Sequence, residues 1–166
     1  MELGWGKIET ARLALAQLEI ADSDDALERG LGAAARISAK SLGVERVGVW
    51  LFQDDGETIQ CIYQFDCRAG RPNVEELSSI ALPSYVKALR KHRFIVASDA
   101  LTDPVTRELA PFYLEPLGIR AILDAPIYRG SELIGIVCHE HGNPRAWSLE
   151  ERHLAATTAE IGRAHV

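Results

Sequence analysis

Apolar positions at the start of the chain recur at helical spacing. Over 7–21 (KIETARLALAQLEIA), Ile8, Ala11, Leu15 and Leu18 form one stripe, and Leu13, Ala16 and Ile20 form a second beside it. A helix is predicted there, with an apolar surface wider than one neighbour needs, so part of it is available to a partner chain. The acidic break Asp22-Ser23-Asp24-Asp25 offers N-cap side chains for a second helix over 25–42. Leu27, Leu31, Ala34, Ala35 and Leu42 mark its buried side, and Gly43 ends it.

The pattern then changes to that of strands. Arg46–Phe52 (RVGVWLF) is dense in β-branched and aromatic residues, Asp54-Asp55-Gly56 is a turn signal, and Thr58–Phe65 (TIQCIYQF) reads as the returning strand of an antiparallel hairpin. Residues 67–78 form a polar loop containing Gly and Pro, and Ser79–Leu82 reads as a short strand. Pro83 suits the first turn of a helix running to about Lys91. Phe94–Ala97 is another short strand. Residues 106–117 read as a helix made short or irregular by Pro111 and Pro116. The strongest local signal is Ile119–His141, two strands around a Gly130-Ser131 turn. Ser148-Leu149-Glu150-Glu151 is a capping box that opens a last helix, with Trp147 packing just before it. The order α, α, β, β, short mixed elements, hairpin, α calls for an antiparallel sheet, because a doubly wound parallel sheet needs regular strand–helix alternation.

Composition narrows the class. With 47% hydrophobic and 25% charged residues in a 166-residue chain, one ordinary globular core is expected. No apolar run approaches the ~20 residues that cross a bilayer. The N-terminus lacks a basic start followed by an apolar stretch, so a cytoplasmic location is expected. A net charge of −6 without a basic stripe argues against nucleic acid as a partner. Cys61, Cys67 and Cys138, odd in number and irregular in spacing, suit a reducing compartment better than a disulfide scaffold. Cys61 and Cys138 fall in predicted strands and are expected to pack as small hydrophobes, whereas Cys67 lies near a loop.

Roughly residues 24–163 resemble a GAF domain. The stretch Tyr113-Leu114-Glu115-Pro116-Leu117-Gly118-Ile119-Arg120-Ala121-Ile122-Leu123-Asp124-Ala125-Pro126-Ile127 resembles the family's helix, glycine turn and strand ending in Pro and an apolar residue. Gly130 through Gly135-Ile136-Val137 is similar to the family's final hairpin. His139-Glu140-His141, Pro144-Arg145 and Trp147 resemble residues in GAF domains of bacterial sensor kinases and cyclic-dinucleotide enzymes. The resemblance implies an α+β sandwich: a six-stranded antiparallel sheet, terminal helices on one face, and a ligand cavity on the other roofed by short helices and loops.

Strand alternation assigns the faces of the last hairpin. A tight turn at Gly130-Ser131 pairs Tyr128 with Leu133, Pro126 with Gly135, Asp124 with Val137 and Ile122 with His139. One face then carries Leu123, Ala125, Ile127, Ile134, Ile136 and Cys138, all apolar in character, and is expected under the terminal helices. The other carries Arg120, Ile122, Asp124, Tyr128, Val137, His139 and His141, a mixture of charged and apolar groups like that of a small-molecule pocket. Asp124 is read as a ligand acceptor, as the partner of a backbone amide or of His139, or as exposed. His139 is a ligand contact or a satisfied histidine. Tyr113 resembles a cavity-lining tyrosine of pigment-binding relatives, and plain core packing is its other reading. Trp50, Tyr63 and Tyr85 carry the same two readings, and Ile122 and Val137 complete the candidate lining.

These residues bear on several chemistries. In Cys138-His139-Glu140-His141 two histidines at i and i+2 share a strand face, but His92, His153 and His165 lie in unrelated segments, so no metal is expected. In the pigment-binders that the chain resembles, a Cys-His pair precedes the Tyr-Leu. Here Leu109 and Ala110 stand in those places, which argues against a covalent bilin. Haem and a cyclic nucleotide stay open. Reduction of free methionine sulfoxide, another branch of the family, needs a nucleophilic and a resolving thiol, and Cys61 and Cys138 lack that branch's surroundings. Gly4-Trp5-Gly6 is too short for a phosphate loop, and no catalytic triad is spaced along the chain.

The expected function is signal input, without catalysis in this chain. Residues 1–23 are expected to form a signalling and dimerisation helix, and 24–166 the sensory domain. Residues 7–21 and 149–165 are expected to pair with a second chain in a parallel bundle, and an output domain is expected beyond Val166 in a longer protein. A ligand-free dimerisation module and a cysteine-based redox enzyme or sensor are the alternatives.

Overall fold

The computed structural model describes residues 3–16, 24–70, 74–91 and 94–165. Two helices, α1 (Leu3–Ala16) and α2 (Asp24–Leu42), precede the hairpin β1 (Arg46–Phe52) and β2 (Thr58–Asp66). The short strand β3 (Glu76–Ser78), helix α3 (Pro83–Lys91) and strand β4 (Ile95–Ala97) follow. A broken helical segment ending in α4 (Glu115–Leu117) leads to β5 (Ala121–Arg129), β6 (Glu132–His141) and α5 (Leu149–His165). The six strands form one antiparallel sheet in the order β3-β2-β1-β6-β5-β4, as the resemblance implied. The expected N-cap residues Asp22 and Ser23, the side chain of Leu27, and Leu18 and Ile20 of the expected first helix lie outside the described residues.

Two apolar layers sandwich the sheet. On one face α5 lies across β5 and β6, α2 lies across β1 and β2, and α1 packs on α2 and α5. Their shared core holds Leu15, Leu31, Ala35, Val47, Val49, Leu123, Ile127 and Leu154. Burying each such Leu or Ile stabilises the fold by roughly 1.5–3 kcal/mol. The other face meets α3 and the broken segment through Trp50, Ile59, Leu82, Tyr85, Leu89, Tyr113 and Ile122. The capping box at α5 forms as expected: the Glu151 amide donates to Ser148 Oγ (3.1 Å) and the Ser148 amide to Glu151 Oε1 (2.9 Å). The Trp147 indole donates to the Ala97 carbonyl at 3.2 Å and fixes the approach to that helix.

Three expectations need correction. The strand expected at Ser79–Leu82 lies earlier, at Glu76–Ser78, and Ser79–Ala81 is a 3₁₀ turn. There the Leu82 amide bonds back to Ser79 O at 3.1 Å, turning the chain so that Pro83 can begin α3. The helix over 106–117 is irregular, as expected: a 3₁₀ turn (Arg107–Leu109), a π turn (Ala110–Leu114) and α4. Pro111 and Pro116 remove two amide donors from any regular ladder. Its end is a Schellman motif: Gly118 has φ +65°, Ile119 N bonds Leu114 O (2.8 Å) and Gly118 N bonds Glu115 O (3.2 Å).

The other two corrections are of register. Between β5 and β6, Tyr128 pairs with Leu133 but Ile127 pairs with Gly135, so Ile134 is one residue too many in β6. Beyond that bulge every partner moves by one: Asp124 faces Cys138, Leu123 faces His139 and Ile122 faces Glu140. Ile136 and Cys138 therefore lie on the roofed face, while Val137 and His139 lie under the helices. The β5 assignments, Leu123, Ala125 and Ile127 toward the helices and Ile122 and Asp124 toward the roof, agree with the alternation. A second bulge lies between β1 and β2, where Val49 pairs with Tyr63 and Trp50 with Cys61. It carries Tyr63 to the helix side, where its hydroxyl accepts from Arg36 at 3.4 Å.

Candidate functional site

Between the sheet and its roof lies a cavity of about 20 Å³, roughly the room one water takes. Trp50 of β1, Ile59 of β2, Ile122 and Asp124 of β5, and Ile136, Cys138 and Glu140 of β6 form its floor. Leu77, Leu82, Tyr85, Leu109 and Tyr113 close it from above. Trp50 and Tyr113 meet edge to face, centroids 6.0 Å apart and planes at 72°, an arrangement favoured by ring quadrupoles.

Asp124, Tyr85, Tyr113 and Cys138 carry polar groups into this apolar setting. Asp124 is only 2% exposed. The Tyr85 hydroxyl donates a short hydrogen bond to Oδ2, and the Cys138 thiol also bonds the carboxyl group. Oδ1 has no hydrogen-bond partner, although the His139 amide lies close enough to favour the charged form. Burial, reinforced by the charge of Glu140, pushes the Asp124 carboxyl well above the usual carboxylate range. Burial likewise raises the Tyr85, Tyr113 and Cys138 groups. The Trp50 indole N–H is also without a partner. It lies over Gly48, where a Cβ would come within 3.2 Å of it and 2.6 Å of Gln64 Oε1, so a side chain there would require the Gln64 amide to move.

Glu140 is handled differently. It is 1% exposed and accepts from Arg46 Nε (3.2 Å) and from the Tyr113 hydroxyl (3.1 Å), both at Oε1. Arg46, itself 1% exposed, also donates to Asp66 at 2.6 Å. Asp66 in turn is held by Arg68 (3.2 Å), which pairs with Glu45 at 3.6 Å. Burial raises the Glu140 carboxyl, and Arg46 opposes that shift. An ion-pair ladder thus runs from the cavity wall to the surface.

Of the residues expected at the pocket, Trp50, Tyr85, Tyr113, Ile122 and Asp124 come together around this cavity. Tyr63, Val137 and His139 do not; the two bulges place them on the helix side. His139 is fully buried there. Its Nδ1 lies 3.1 Å from the Leu123 carbonyl and must donate to it, so Nε2 accepts from Ser38 Oγ at 2.7 Å. The Thr158 hydroxyl stands 3.3 Å from that of Ser38. Cys138, Glu140 and Arg46 are the polar residues that alternation missed. A glycine inside a strand, Gly135, was the signal that would have found the first two, because it often marks a bulge.

The strand also separates the residues of the Cys138–His141 run. Cys138 and Glu140 face the roof and His139 the helices, and among the described residues no three His, Cys, Asp or Glu side chains converge as metal ligands do. Among them, too, no helix is long and apolar enough to cross a membrane.

No curated protein matches the chain. Its structure is similar to the chromophore-binding domain of a bacteriophytochrome from R. palustris (TM-score 0.69, 20% identity, 96% of this chain). The chain spans 59% of that domain's length. It is also similar to the blue-light absorbing form of the PixJ GAF-domain of Thermosynechococcus elongatus (TM-score 0.66, 21% identity, 86% of this chain and 90% of that one). A third similar structure is free methionine-R-sulfoxide reductase from Neisseria meningitidis in complex with its substrate (TM-score 0.69, 15% identity, 99% of this chain and 88% of that one). At these identities the likeness is one of fold. The family model described as "GAF domain" matches residues 26–161, and with it matching most of the chain, this protein belongs to the GAF domain family.

Proposed function

We propose that this chain is a sensory input domain that binds a small ligand in the roofed cavity and relays its presence through α1, α2 and α5 to an output domain of a longer cytoplasmic protein. The observation that carries this reading is Asp124 Oδ1, an unpartnered oxygen on a 2%-exposed side chain that lines the cavity. Leaving it unsatisfied costs about 1–3 kcal/mol. A domain used only as a scaffold gains nothing from that cost, whereas a binding site recovers it from the ligand. Structures of similar fold that hold a phycoerythrobilin or a substrate support a ligand-binding role. Helices α1 and α5, packed together in this fold, are the proposed contact of a homodimer.

A ligand-free dimerisation module is the second reading, favoured by the cavity's size of about 20 Å³. Any ligand larger than a water must move the roof, and the linkage between binding and roof position is what would make the domain a switch. The cysteine-redox reading is weaker. Cys61 and Cys138 stand on strands that flank β1 on opposite sides, so two ladder spacings of ~4.8 Å separate them, beyond the Cα reach of a disulfide at ~7 Å. Burial also pushes the Cys61 thiol up to about 11, disfavouring a thiolate.

A thermal-shift screen of nucleotides, amino acids, haem and small amines tests the proposal. Saturable stabilisation by one class is expected, about 2.7 kcal/mol at a hundred times Kd, and it should vanish when Asp124 is changed to Asn. Uniform failure across the screen favours the scaffold reading.

A further inference from the structure

We propose that the cavity beneath α3 takes the head of a primary ammonium ligand, donating to Asp124 Oδ1 and surrounded by the rings of Trp50, Tyr85 and Tyr113. This rests on the reading of the cavity as the ligand site and names the chemistry that site selects.

Valence gives the first constraint. Asp124 Oδ2 is taken by the Tyr85 hydroxyl, and Oδ1 is buried without a partner. A cation at Oδ1 would favour the ionised carboxylate against the burial that otherwise raises it, and that carboxylate accepts only, so the group that completes it is a donor. Charge gives the second constraint. The side chains that hydrogen-bond Asp124, Tyr85 and Cys138, are both neutral. The second carboxylate of the cavity, Glu140, is engaged by Arg46, which is itself shared with Asp66. A cation therefore supplies the charge that the Asp124 wall lacks. The rings give the third. Trp50, Tyr85 and Tyr113 all line the cavity, and an ammonium group beside aromatic rings is attracted by their quadrupoles, more strongly when desolvated. Size gives the fourth. About 20 Å³ accommodates a water-sized head, which an –NH₃⁺ group is and a guanidinium or a carboxylate is not. The substituent of such a ligand would run under Leu77 and Leu82, and those roof residues are the ones that would have to move.

The test uses the full chain with ¹⁵N-labelled tryptophan, following the Trp50 indole cross-peak while methylammonium, tetramethylammonium or acetate is added. A saturable shift with methylammonium is expected, at least tenfold weaker with tetramethylammonium, which has no N–H to donate, and absent with acetate. Asp124→Asn should weaken the methylammonium response at least tenfold. Equal responses to methylammonium and tetramethylammonium, or a response to acetate, in the unaltered protein overturn the proposal without depending on whether any variant folds. If the thermal-shift screen instead yields an anionic or neutral ligand that moves the Trp50 signal, the ammonium inference fails and the sensory reading stands. If no compound in either experiment moves that signal, both fail.

Discussion

His139 shows how one buried side chain ties the pH behaviour of the fold to its architecture. It is 0% exposed and satisfied only as the neutral imidazole, donating to Leu123 O and accepting from Ser38. Protonation would place a charge in the core and abolish the bond from Ser38. Burial accordingly depresses its pKa to about 4. In the unfolded chain the ordinary value is about 6.5, so between pH 6.5 and 4 the unfolded state binds a proton that the native state refuses. The stability contributed by neutral His139 is complete above that window and is lost as pH falls through it. At 1.36 kcal/mol per pH unit the loss is on the order of 3 kcal/mol. His139→Gln removes this titration. Urea unfolding at pH 7.5 and pH 4.5 should therefore show wild type losing about 2–3 kcal/mol more than the variant over that interval. Equal losses would mean that His139 is not held neutral.

At the scale of elements, the two β-bulges account for most of what was legible in the sequence and what was not. Strand positions, hairpin partners, the proline start of α3 and the capping box of α5 are local properties, written in periodicity and in turn and cap residues. Face assignment along β5 was legible too, because Leu123, Asp124 and Ala125 alternate without interruption. In β6 the alternation was read straight through Ile134, and one inserted residue inverts every side chain beyond it. Cys138 and Glu140 were consequently missed at the cavity while Val137 and His139 were put there. An insertion of this kind lies in the pairing of β5 with β6, which a single strand's pattern does not contain, while β6 keeps unbroken register where it approaches β1. Gly135 records that approach: a Cβ there would come within 2.4 Å of the Trp50 carbonyl and 2.7 Å of a Leu51 methyl. Since backbone must yield, Gly135→Ala is expected to destabilise the domain by about 1–3 kcal/mol and to broaden or shift the Trp50 signals. A neutral effect in denaturant unfolding would contradict this packing.

Over the whole molecule, β6 joins the two layers. Its roofed face presents Cys138 and Glu140 to the cavity, and its other face presents His139 to Ser38 of α2, next to Thr158 of α5. A displacement of this strand on ligand binding would reach both helices through a hydrogen-bonded contact rather than through apolar packing alone. The outer helix has its own role in the account. Ala11 and Leu15 of α1 are buried against the domain, whereas Leu13 is 57% exposed. Leu13, on the second apolar stripe of this helix, is therefore open to a second copy. Leu13→Lys should convert a dimer to a monomer in sedimentation equilibrium with little effect on melting temperature. A variant that still sediments as a dimer removes α1 from the interface.

The coupling itself is tested most directly by hydrogen–deuterium exchange with the best compound from the thermal-shift screen at saturation. Slower exchange is expected in two separated places at once: the roof, over Glu76–Lys91, and the helix layer, in α2 and α5 around Ser38 and Thr158. Protection limited to the roof, or appearing only along the outer surface of α1, would contradict transmission from the cavity to the helices.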